Sequence, residues 1–114
     1  MSFNFVEKTN SLTPEQRLHF YEVLAHNLTV SIRGIWSDTS ISDVEKVDQM
    51  KWINEVTHMV TAKVYVLRLN KHEWTEEDTW ELMEWAVSKN PRIKVHLAGA
   101  VMHTHDSITS NASD

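Results

Sequence analysis

Apolar residues recur every three or four positions through most of the chain, and short polar stretches break that rhythm into segments. The first segment carries Leu18, Tyr21, Ala25, Leu28, Ile32 and Ile35, a stripe along one side of a helix. Thr13-Pro14-Glu15-Gln16 starts it: Thr13 can cap, Pro14 sits where its missing N–H costs nothing, and Gln16 can close a capping box. The spacing predicts a helix from about Pro14 to Ile35, with Gly34 helping to end it. Ser37-Asp38-Thr39-Ser40-Ile41-Ser42 then reads as a loop, because its polar side chains readily bond their own backbone.

Ser42-Asp43-Val44-Glu45 repeats the capping-box pattern and opens a second helix. Val44, Val47, Met50, Ile53, Val56 or Thr57, Val60, Val64 and Leu67 continue it, with no breaker before Asn70. Lys63 to Leu69 is β-branched enough to compete as a strand, but nothing else in the chain offers a partner strand, so the helix is expected to run on. Thr75-Glu76-Glu77-Asp78 caps a third, shorter helix whose apolar side is Trp80, Met83 and Val87, flanked by Leu82 and Ala86. Asn90-Pro91 ends that helix and starts a fourth, from about Arg92 to His103, on Ile93, Leu97, Ala100 and Val101. The expected fold class is all-α: a four-helix bundle-like single domain over residues 1–105, dimeric, with a flexible polar tail over 106–114. No internal repeat or coiled-coil heptad run is visible.

Composition narrows the class. A chain of 114 residues with 41% apolar and 24% charged residues fits one globular domain with a real core. Two glycines and two prolines leave few places to interrupt helices. The chain contains no cysteine, which excludes disulfides and thiolate metal sites. The opening residues Met1 to Lys8 lack a basic region followed by an apolar run, and no stretch reaches the roughly 18 apolar residues of a membrane span. A cytoplasmic protein without a membrane association is the default expectation. A net charge of −5 argues against a nucleic-acid partner, although the seven histidines could cancel it in mild acid.

The candidates for chemistry are few. On the first helix His19, Glu22 and His26 share a flank, but seven residues rise about 10.5 Å, so His19 and His26 cannot grip one ion. Glu55-Val56-Thr57-His58 has the spacing of one half of a di-iron carboxylate site, yet the chain has only one such motif, and Glu55 lies off the apolar stripe. No metal and no cofactor is therefore expected. His26-Asn27-Leu28-Thr29 and Asn54, Thr57, His58 and Thr61 sit near the middles of the first two helices. Antiparallel packing could join them in a hydrogen-bonded seam. His26, Asn54 and His58, with Arg33 as an anion or acid partner, are the candidate ligand-binding residues. The acidic run Glu73, Glu76, Glu77, Asp78, Glu81 and Glu84 and the small basic cluster Lys89, Arg92 and Lys94 read as solvated faces. The junction between the third and fourth helices has the look of a helix-turn-helix. Its second helix is too poor in basic and amide residues for base reading. Nucleophile elbows and glycine-rich phosphate loops are missing, and no catalytic residue is assigned.

One segment is over-supplied with apolar residues. From Met59 to Leu69 they surround the helix axis, and a helix that is apolar all round is buried on all sides. Five tryptophans, Trp36, Trp52, Trp74, Trp80 and Trp85, add to the load. Trp52, Met59, Tyr65, Val66 and Leu69 are accordingly the candidate interface residues for a homodimer through the second helix. The expectation is a non-enzymatic interaction or regulatory protein, with a protein partner beside the second copy. The alternative is a metal- or small-ligand-binding helical bundle, open to an enzymatic role, with its site in the polar seam between the first two helices.

Overall fold

The computed structural model describes residues 12–69 and 76–112. These form four α-helices: α1, Pro14–Ser37; α2, Asp43–Arg68; α3, Glu76–Lys89; and α4, Lys94–Ala112, preceded by a 3-10 turn at Pro91–Ile93. No strand occurs among the described residues. The Lys63–Leu67 region is helical because its apolar side chains pack better as a helix in the bundle than as a strand without a partner.

The helix starts follow the local chemistry. Thr13 Oγ1 accepts from the Gln16 backbone N–H at 3.2 Å, and Gln16 Oε1 accepts from the Thr13 N–H at 2.9 Å, which completes a capping box on α1. Ser42 caps α2 by accepting from the Glu45 N–H at 3.1 Å. Asn90 Oδ1 accepts from the Arg92 N–H at 3.0 Å and Pro91 takes the first position of the turn. The expected cap Thr75 and Trp74 lie outside the described residues.

Side-chain contacts give the direction of each helix. Arg68 pairs with Glu22, and the Lys63 ammonium lies 5.6 Å from the Tyr21 ring centroid, so the end of α2 meets the beginning of α1. Arg92 meets Glu45 at 2.9 Å, and Trp52 meets Trp85 edge to face at 5.3 Å, so α3 runs antiparallel to α2. Asn27 Nδ2 donates to Thr104 Oγ1 at 2.8 Å and joins α1 to α4. The helices thus alternate in direction, with α1 packed between α2 and α4, and α2 between α1 and α3. The radius of gyration, 14.1 Å, is near the about 13 Å of a compact domain of this length.

The core holds Phe20, Tyr21, Leu24, Leu28 and Ile35 of α1; Ile53, Val56, Val60 and Val64 of α2; Met83 and Ala86 of α3; and Ile93, Leu97, Ala100, Val101 and Ile108 of the last segment. Three sequence expectations need correction. Phe20 and Leu24 join the α1 stripe because α1 covers two neighbours and needs a wider apolar arc. Val44 and Val47 leave the α2 stripe. At 3.6 residues per turn, Val44 lies about 180° and Val47 about 120° from Ile53, while Gln49 and Lys63 fall inside and are buried. The polar stretch expected as a tail from Asp106 is helical through Ala112, because Thr104 and Ile108 keep α4 in contact with the core.

Candidate functional site

The side chains singled out for a polar seam do not face one another. His26, Arg33, Asn54 and His58 are all exposed, and no hydrogen bond or ion pair joins them among the described residues. On α2, Asn54 and His58 lie about 100° and 140° from Ile53; on α1, His26 and Arg33 lie about 160° and 140° from Leu28. The hairpin therefore turns all four to its outward side, presenting polar atoms to solvent. The remaining members are satisfied elsewhere. Thr29 donates to the Ala25 carbonyl at 3.0 Å, Thr57 to that of Ile53 at 2.9 Å, and Thr61 to that of Thr57 at 2.9 Å. Asn27 turns to α4 instead of α2, where Thr104 accepts its hydrogen bond and donates its own to the Ala100 carbonyl at 2.7 Å.

The motifs weighed for metal binding are also dispersed. Glu22 is engaged by Arg68, while Glu55 and His58 are exposed. No group of three or more histidine, aspartate or glutamate side chains among the described residues could hold an ion. Along His103-Thr104-His105-Asp106 the side chains also diverge: His103 is exposed, Thr104 is buried, and His105 Nδ1 lies 3.8 Å from the exposed Asp106 carboxylate. No helix among the described residues is long and apolar enough to cross a membrane.

The five interface candidates divide into two sets. Trp52 stacks edge-on against Trp85, with Lys51 Nζ 4.7 Å over the Trp52 ring and Lys89 Nζ 5.7 Å over that of Trp85. Met59 and Val66 share the flank of Trp52 and are half-buried. Tyr65 and Leu69 point outward, 62% and 66% exposed, and on the same side stand Val44 and Val47 at 82% and 60%. The face of α2 opposite its core stripe thus has large apolar side chains at both ends and Lys51, Asn54, Glu55 and His58 between them. A solvated helix face is ordinarily polar throughout, so apolar ends on this one are a candidate contact surface.

A second polar constellation was missed by the sequence reading. Asn90 is buried where α3 turns into α4, and both hydrogens of its amide are used: Nδ2 donates to Glu45 Oε2 at 2.9 Å and to Asp48 Oδ2 at 2.8 Å. Gln49 Nε2 donates to the same Glu45 oxygen at 2.8 Å, and Arg92 takes the other oxygen at 2.9 Å. The Asn90 bond, then the Gln49 bond, then the Arg92 charge hold the Glu45 carboxyl below the ordinary range, against the opposing effect of its desolvation. In the α1–α2 loop, hydrogen bonds from the Ser40 hydroxyl and backbone N–H similarly lower the Asp38 carboxyl. The signal for the junction was present in Asn90-Pro91-Arg92 and Glu45, but only the fold brings residues so distant in sequence together.

Fold and surface together define an all-helical bundle whose second helix has an outward face with apolar ends. Among known proteins, the chain matches no family model, no curated protein and no solved structure.

Proposed function

We propose that this chain is a small, non-enzymatic helical interaction protein that assembles as a homodimer through α2, and that the pair serves as a binding partner or regulator of another protein. The observation that supports this reading is the outward face of α2, where Val44, Val47, Tyr65 and Leu69 are all mostly exposed. Burying such side chains is worth about 25 cal/mol per Å² of apolar surface removed from water. A two-fold partner presenting the same face covers both ends at once. Core packing does not need these side chains, so exchanging them separates association from folding.

Sedimentation equilibrium over a range of concentrations tests the reading. The native chain is expected to show a dimer, and a Val47→Glu, Tyr65→Glu variant is expected to be a monomer with an unchanged helical circular-dichroism spectrum. A native chain that stays monomeric at every concentration overturns the proposal.

A further inference from the structure

The outward face of α2 is apolar at both ends and carries oppositely chargeable groups, Glu55 and His58, on either side of its midpoint. Successive positions near its centre line are Val44, Val47, Lys51, Glu55, His58, Ala62, Tyr65 and Leu69. Taken about a point between Val56 and Thr57, Val44 mirrors Leu69, Val47 falls beside Tyr65, Lys51 mirrors Ala62, and Glu55 mirrors His58. A two-fold axis through that point lays the helix antiparallel on a second copy of itself. Apolar ends then meet apolar ends, and the centre brings each Glu55 to the other copy's His58, once on either side of the axis. A parallel arrangement instead sets Glu55 against Glu55 and His58 against His58.

We infer that the homodimer is antiparallel along α2 and is tightened by protonation of His58, which pairs with Glu55 of the second copy across the two-fold axis. This rests on the homodimer proposed above and specifies its geometry and regulation. Lys51, Glu55, His58, Tyr65 and Leu69 are exposed in the single chain and therefore available to a second one. Of the charged groups on the helices packed against α2, Glu22 of α1 is already paired with Arg68, His26 and Arg33 of α1 are exposed, and α3 carries the exposed carboxylates Glu77, Glu81 and Glu84. The Glu55→Gln variant separates Glu55 from those α3 carboxylates.

The sign of the pH effect follows from the pair. A histidine that gains a carboxylate partner on association has its pKa raised in the dimer. The extra affinity is fully present below the free histidine value of about 6.5 and disappears as pH rises through the raised value. Two symmetry-related partly exposed pairs together correspond to about a tenfold change in Kd.

The experiment is sedimentation equilibrium at about pH 5.5 and about pH 8, either side of the ordinary histidine pKa. The native chain, Glu55→Gln, His58→Gln, the Glu55→His/His58→Glu double variant and a His26→Gln control are compared. The native chain and the His26→Gln control are expected to bind themselves about tenfold more tightly at the lower pH. The two single variants are expected to lose that dependence and the double variant to regain it. Orientation is read separately: since the chain has no cysteine, a spin label on Val44→Cys reports on one position alone. The antiparallel dimer places the two labels about 37 Å apart along the axis, whereas a parallel one brings them within helix-packing distance of about 10 Å. Absence of self-association at either pH defeats the homodimer itself. A dimer with close labels, or one whose pH response survives both single variants, keeps the homodimer and overturns this inference.

Discussion

Replacing Asn90 tests whether the α3–α4 junction is held by a helix cap or by the bridge to α2. Asn90→Ala removes an acceptor for the Arg92 N–H at 3.0 Å and two donated hydrogen bonds, at 2.9 Å to Glu45 and 2.8 Å to Asp48. A lost cap costs about 1 kcal/mol, and each lost hydrogen bond about 1 kcal/mol net, for a total of about 3 kcal/mol. At this chain length that corresponds to a fall in Tm of about 12 °C. Asn90→Asp separates the two contributions, since aspartate is as good a cap but exchanges the donor for an oxygen facing two carboxylates. At neutral pH the aspartate variant is therefore expected to be less stable than the alanine variant. Near pH 4, about where carboxylates take up protons, the difference should close. Urea unfolding followed by circular dichroism and tryptophan fluorescence measures both variants. An aspartate variant as stable as the native chain, or an alanine variant costing less than about 1 kcal/mol, refutes the bridge and leaves only the cap.

Two further outcomes are expected. Gly34 and Gly99 lie inside α1 and α4, and a methyl group added at either meets nothing within 4 Å; Gly34→Ala and Gly99→Ala should each stabilise by up to about 1 kcal/mol in urea titrations. The Glu45 carboxyl is lowered by Asn90, Gln49 and Arg92, so its contribution is present above the ordinary glutamate value of about 4.3 and is lost as pH falls through the lowered one. Glu45→Gln should accordingly flatten the acid limb of a stability-versus-pH curve, and an unchanged acid limb would assign that loss to other carboxylates.

Much of the fold is written in local chemistry. Thr13, Ser42 and Asn90 each carry an oxygen that satisfies an N–H in the first helical turn, and those starts are legible because capping depends on neighbours a few residues away. The inward side of α2 was legible from Met50 onward but not before it. Two valines drew the stripe towards Val44 and Val47, while Gln49 and Lys63 occupy buried positions with polar ends on long stems. Periodicity gives the phase of a helix only as well as its composition marks it. The polar seam failed for a different reason. His26, Asn54 and His58 belong to the middles of paired helices, but being level along a hairpin does not decide whether a side chain points between the helices or away from both. That is set by the angular offset from the core stripe, which puts all three outside. The junction around Asn90 depends on partners more than 40 residues away, and no local pattern announces them.

The bond from Asn27 to Thr104 spans 77 residues and fastens α1 against α4. Contacts of α1 with α2, and of α2 with α3, connect successive helices, so they close short loops and can form early. Docking of α4 on α1 joins the first and last described helices and closes a far longer loop. The two-helix hairpin that exposes the proposed dimer face is thus one of the short-range units able to form before α4 docks. Newly made chains would have that face available before their own last helix is in place, and recognition of a second copy could then begin during folding.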